Sequence, residues 1–213
     1  MRATGLRVVQ MWIGLIIYGL SSALMVRGRL GLDPWDVFHQ GLSKRIDISL
    51  GVVVIIVGAI VLLGWIPLRE RPGFGTISNV LLIGLSLNAF LDVLPTPHLL
   101  ATRITFTVAG IAACGLATGM YISVGMGPGP RDGLMTGLAH RTGWSIRLTR
   151  TGLEMTVLAV GWVLGGNIGF GTVAFALCIG PASQLSLKLF GRLPTSRVRL
   201  RRGDPVDALA GQR

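Results

Sequence analysis

Charge is what this chain has least of. Asp, Glu, Lys and Arg together make up 14% of its 213 residues, and only nine residues are acidic. An ordinary soluble domain carries about a quarter charged residues, so a water-soluble globule is excluded. Cysteine is nearly absent. Cys114 and Cys178 both fall inside apolar stretches and read as small buried hydrophobes. The three histidines, His39, His98 and His140, form no cluster with Cys or Asp at ligand spacing, so no metal site and no cofactor is implied. No nucleophile–base arrangement is present either, and an enzyme is disfavoured.

What fills the sequence instead is hydrocarbon. Half of it (51%) is hydrophobic, with a mean hydropathy of +0.66. The apolar runs are 8–26, 49–66, 74–91, 104–124, 151–164 and 168–187. A membrane helix needs roughly 20 residues to cross the hydrocarbon, and all but the fifth run approach that length. The expected fold class is therefore an all-α polytopic membrane protein with six transmembrane helices. A cleaved signal peptide is disfavoured for the first run, which is long for an h-region and is followed at once by Arg27 and Arg29.

The basic excess fits the same picture. With the N-terminus in the cytoplasm and six alternating spans, 15 of the 20 basic residues fall on the cytoplasmic side. Only Arg27, Arg29, Lys44, Arg45 and Arg103 fall outside. This is the bias that orients membrane proteins, and it removes the need for a nucleic-acid partner. The expected location is the bacterial inner membrane with both termini cytoplasmic. The tail stretch RVRLRR (197–202) suits anionic headgroups as a secondary partner.

One polar segment occurs twice. GLDPWDVFHQGLSKR (31–45) and GPGPRDGLMTGLAHR (127–141) lie 96 positions apart, and the same gapless offset aligns Gly41-Leu42 with Gly137-Leu138 and Ser49 with Ser145. The tetrapeptide GFGT recurs at 73–76 and 169–172. The chain is a tandem duplication: repeat 1 covers 1–96, repeat 2 covers 97–192, and a basic tail expected to be disordered covers 193–213. Each copy holds three spans, an odd number, so the second copy is expected to enter the membrane from the opposite side. The result is a pair of inverted repeats, the plan of many secondary transporters.

Within each copy, helices are expected over 34–45 and 130–141, each opened by a proline. Asp33 is a suitable N-cap for the first, with Asp36 at the third helical position as in a capping box. Gly129 and Asp132 take the corresponding places in the second. At 1.5 Å per residue such a helix covers about 16 Å, half the hydrocarbon. It is either an interfacial amphipathic helix or a re-entrant half-helix that carries its N-terminus and a carboxylate towards mid-membrane. The candidate substrate-binding residues are Asp36, Asp132, Trp35, Arg131, Asp33 and Glu154. Glu154 stands in the fifth span where the first copy has Gly58, either as a functional acid or paired with Arg150. The GFGT glycines, and the Gly115/Gly119 and Gly161/Gly165 pairs, are read as close helix packing. GMGPGP (125–130) is not a phosphate loop, because its prolines lack N–H donors and no Lys-Ser/Thr follows.

These motifs, with RTGWSIRLTRTGLE (141–154), resemble the YczE/YitT-like family of bacterial integral membrane proteins over about residues 7–192. The resemblance implies a six-helix protein and leaves the activity open. Two functions fit the sequence. One is a transporter or exporter of a small molecule or ion by alternating access. The other is a non-transporting accessory that scaffolds a biosynthetic or envelope complex, its aspartates capping helices only. At this size two copies enclosing a pathway, a homodimer, is a further expectation. The charge-neutral variants Asp36→Asn and Asp132→Asn separate the two functions in a thermal-shift screen against metabolites and ions. A transported ligand at about 100 times its Kd raises wild-type stability by about 2.7 kcal/mol, and both variants lose that shift while remaining folded. A scaffold shows no shift and tolerates both substitutions.

Overall fold

A computed structural model describes residues 2–196; the tail arginines 197–202, with their expected disorder and lipid contact, lie outside the described residues. Eight helices follow one another, with no strand among the described residues: α1 Arg2–Gly28, α2 Pro34–Ile46, α3 Leu50–Leu68, α4 Phe74–Val93, α5 Leu100–Ser123, α6 Pro130–Thr142, α7 Ile146–Val163 and α8 Phe170–Phe190. Moved by the 96-residue offset, the bounds of α2 become those of α6. The expected short helices are thus found, each one residue longer than anticipated. α1, α3, α4, α5 and α8 are long and apolar enough to cross a membrane. α7 is 18 residues long but carries Arg147, Arg150 and Glu154, which break its apolar character.

The five long apolar helices present hydrocarbon to the outside as well as to the core. α1 buries Met11, Leu15, Tyr18 and Met25 along one stripe and exposes Val9, Trp12, Ile13 and Ile16 on the other. A helix hydrophobic all round belongs in lipid, and this is an all-helical membrane protein. Cys114 is buried as expected; Cys178 is exposed, because α8 turns that face outward along with Leu177 and Leu185.

α1 and α5 form the central pair and run antiparallel: Gly14 lies against Ala117–Tyr121, and Gly28 against Arg103 and Thr107. α4 packs on α1, and α8 on α5. The short helices are wedged between the longer ones, α2 against α7 and α3, α6 against α3 and α7. At one equivalent pair of positions the large and small partners are exchanged. Gly133 of α6 lies under the Trp65 ring of α3, whereas Gly161 of α7 lies under Val37 and Phe38 of α2.

Glycine decides how close the long helices come. Gly115 and Gly119 seat α5 on Ala182 and Ser186 of α8, which is the packing expected of them. Gly165 does not pack. It adopts φ +98° just beyond α7 with open space around it, and the neighbouring Gly166 makes the contact with Val37. α3 closes on α4 through Gly51, Gly58 and Gly84. The equivalent residues of α7 and α8 are Arg147, Glu154 and Gly180, and nothing approaches Gly180. α7 and α8 accordingly stand apart. A Cβ at Gly119 would fall 2.1 Å from Ser186 Oγ, so Gly119→Leu is expected to lower thermal stability in detergent by about 1–3 kcal/mol. Gly180→Ala should leave it unchanged.

Candidate functional site

Both short helices are preceded by extended, non-helical backbone, and each such stretch is held by the opposite half. Gly171 N donates to Leu30 O at 2.7 Å, and Gly75 N donates to Met126 O at 2.9 Å, the same bond 96 positions on. Thr76 Oγ1 donates to Pro128 O at 2.8 Å and accepts from Gly73 N at 3.1 Å. Thr172 Oγ1 accepts from Gly169 N at 3.3 Å. Gly31 and Gly127 take φ +118° and +124° where these loops meet the GFGT turns. A side chain at either position would strain the backbone and strike the partner. The GFGT glycines allow the expected close approach, but chiefly to the loops that launch α2 and α6 and not to a neighbouring helix.

The far ends of the short helices are tied in the same crossed manner. Lys44 Nζ donates to Gly165 O at 2.7 Å and Arg45 Nε to Leu164 O at 3.3 Å, just beyond α7. Arg141 reaches Pro67 O near the end of α3. Basic groups near the C-terminus of each short helix thus satisfy free carbonyls at the end of a long one.

Their N-termini meet at the centre. Asp33 caps α2, its Oδ1 accepting from Trp35 N at 2.9 Å and Asp36 N at 3.1 Å. Arg131, in the first turn of α6, brings Nη1 to 3.8 Å from that oxygen and lays its guanidinium 5.4 Å from the Tyr18 ring centre. Asp36 does not close the expected capping box. Its Oδ1 pairs with His39 Nδ1 one turn on, at 3.2 Å, while Oδ2 is buried without a hydrogen-bond partner. Asp132 Oδ2 accepts from Tyr121 Oη at 2.9 Å. The α6 N-terminus itself is fixed by Trp65 Nε1, which donates to Pro130 O at 2.9 Å.

Two adjoining cavities share these residues. The first, of ≈ 70 Å³, lies between α3, α4 and the two short helices and is lined by Tyr18, Trp35, Asp36, His39, Asn79, Tyr121, Arg131, Asp132 and aliphatic side chains of α3 and α4. The second, of ≈ 90 Å³, occupies the gap between α7 and α8 and shares Trp35, Tyr121, Arg131 and Asp132 with the first. Arg150, Glu154, Ser183 and Gln184 add polar groups to it.

Five of the six sequence candidates, Asp33, Trp35, Asp36, Arg131 and Asp132, converge at this centre. Glu154 lines the second cavity only and accepts from Arg150 Nε at 2.9 Å. Tyr18 and Tyr121 escaped notice in the sequence, although they are the chain's two tyrosines and both are polar-headed rings inside apolar spans. His39 was weighed only as a metal ligand.

Comparison with known proteins gives relatives of matching length. A family model described as a family of unknown function (DUF6198) matches residues 5–188. An uncharacterised protein of Haemophilus influenzae is 38% identical over 180 residues, 84% of this chain and 83% of its own. YczE, an uncharacterised membrane protein of Bacillus subtilis, is 37% identical over 177 residues, 82% of each chain. YyaS of the same organism is 27% identical over 173 residues, 79% of this chain and 85% of its own. No solved structure matches.

Removing the Thr76 hydroxyl tests the loop anchoring. Thr76→Val leaves Pro128 O and Gly73 N without their partner and should cost about 1–3 kcal/mol of unfolding free energy. Thr76→Ser should recover most of it in the same denaturation assay.

Proposed function

The chain belongs to the DUF6198 family of unknown function, and from that premise and the central site we propose that it is a small-molecule or ion transporter of the bacterial inner membrane. It works by alternating access between two inverted halves. The observation that carries this reading is the contrast between two equivalent helix pairs flanking one site. α3 and α4 are zipped shut through Gly51, Gly58 and Gly84, while α7 and α8 stand apart over a polar cleft that reaches Asp132 and Arg131.

The reading takes α7 as a sixth span, its three charges facing the cleft or its edge. α1 and α5 then cross in opposite directions, in keeping with their antiparallel contacts. α2 and α6 are half-helices of about 20 Å whose N-termini meet near the midplane. Irregular backbone at that depth requires partners inside the protein, and the GFGT turns supply them. With both termini cytoplasmic, as the distribution of basic residues favours, the open cleft faces the cytoplasm and the closed α3–α4 pair faces outward. Asp36, Asp132 and Trp35 contact the substrate; Asp33 holds the α2 N-terminus and Arg131, on the rim of the site, in place. Transport consists of closing α7 on α8 while α3 parts from α4.

Spin-label distances test this without knowledge of the substrate. Labels at Met155 and Leu185 report on α7–α8, and labels at Ile56 and Leu85 report on α3–α4, with Cys114 and Cys178 replaced by alanine. A transporter shows two distance populations in each pair, and conditions that shorten one lengthen the other. A single fixed distance in both pairs would refute alternating access and favour the scaffold.

A further inference from the structure

Within the transport reading, on which this inference rests, we propose that the central site takes a small organic cation: an ammonium head on a short apolar body. The cavity bounded by Asp36 and Tyr18 is built to receive a donor. Asp36 is 6% exposed and Tyr18 5% exposed. Each presents a buried oxygen, Asp36 Oδ2 and Tyr18 Oη, that has no hydrogen-bond partner, and both residues line the same cavity. A buried carboxylate oxygen left unpaired is costly. An N–H donor on a positively charged ligand satisfies it, and the tyrosine hydroxyl can accept a second N–H.

Arg131 and the α2 N-terminus, two positive features of the site, are already engaged. Among the described residues Arg131 is the one Lys or Arg side chain lining this cavity, and it is occupied by the Tyr18 face and by Asp33. The α2 N-terminus, which would otherwise attract an anion, is filled by the Asp33 carboxylate. Asp36 and Asp132 bring two carboxylates to the same wall. Trp35 and Tyr121 add ring faces that favour a cation, and Val57, Val80 and Ile83 offer an apolar wall. At about 10–15 Å³ per water-sized occupant, the cavity of ≈ 70 Å³ has room for roughly five to seven heavy atoms. That is the size of a small alkylamine.

The experiment uses n-butylammonium as the probe, with butan-1-ol and butyrate as neutral and anionic counterparts of nearly equal shape. Each is titrated into the purified full chain at constant ionic strength, with thermal unfolding as the readout. Wild type should show a saturable rise in Tm with n-butylammonium alone. Asp36→Asn should weaken apparent affinity about tenfold or more, the loss expected for a charged hydrogen bond. Tyr18→Phe removes only an unpartnered hydroxyl, so the protein should keep its wild-type Tm without ligand and still bind several-fold less tightly. This second variant serves if Asp36→Asn fails to fold. A shift with butyrate instead, no shift with any of the three, or a butylammonium shift unchanged in Tyr18→Phe and in folded Asp36→Asn would each overturn the proposal. Reciprocal spin-label distances with no butylammonium shift would leave a transporter of another substrate. A butylammonium shift with fixed distances would leave a cation-binding protein that does not transport.

Discussion

Backbone groups that leave a helix and are shut away from water must find their hydrogen bonds within the protein, and the centre of this molecule depends on how the two non-helical stretches before α2 and α6 do so. The approach to α2 is buried at 31–33 and that to α6 half-buried at 125–128, and each takes a backbone hydrogen bond from the other half. Gly171 N answers Leu30 O, and Gly75 N answers Met126 O. Only with those bonds in place can two helix N-termini be carried to the same point. Only there do Asp33 and Arg131 lie 3.8 Å apart. The polar cavities are a by-product of the same geometry, since two short helices whose N-termini meet leave unfilled space beside them.

The 96-residue offset pairs equivalent helices, and departures from it account for the asymmetry between them. Where repeat 1 has Gly51 and Gly58, repeat 2 has Arg147 and Glu154. Glycine removes side-chain bulk and lets two membrane helices touch; arginine and glutamate hold them apart and need polar company. The one glycine retained on the opposite side, Gly180, therefore faces empty space, whereas its equivalent Gly84 lies against Gly51 O and Ile55. Departures of the reverse kind tighten the fold. At one seat the Trp65 ring of α3 covers Gly133; at the equivalent seat Gly161 of α7 lets the Val37–Phe38 backbone of α2 come close.

The helices were legible in the sequence because proline and glycine mark their ends and the 96-residue offset states each boundary twice. Pro34 and Pro130 located both short helices, and Asp33 was recognisable as a cap from its place before the proline. The repeat placed Asp36 and Asp132 at equivalent positions of two short helices, which would approach each other only under the re-entrant of the two readings left open. Other features were hidden because they arise from contacts between residues far apart along the chain. Nothing local indicates that Thr76 will donate to Pro128 O, or that the third helical position of α2 will turn towards His39 instead of its cap. Tyr18 and Tyr121 belong to spans that read as uniformly apolar, and their hydroxyls acquire meaning only once α2 and α6 are seen beside them. Glu154 lay between a functional acid and a local ion pair with Arg150. The ion pair is present, and it sits on the edge of a cleft that only the separation of α7 from α8 creates.

The crossed anchoring of the loops bears on how the chain is made. Leu30 finds its partner at Gly171, so the ribosome must add nearly the whole of the second half before the first short helix can be launched correctly. At roughly 5–20 residues per second that interval is about seven to thirty seconds. Throughout it a capped but unanchored α2 coexists with newly inserted spans. Neither half can mature as a module, and the first must wait in a provisional arrangement that α8 completes. Truncation before residue 169 therefore removes more than the last helix: it withdraws the clasp that seats the first aspartate pair.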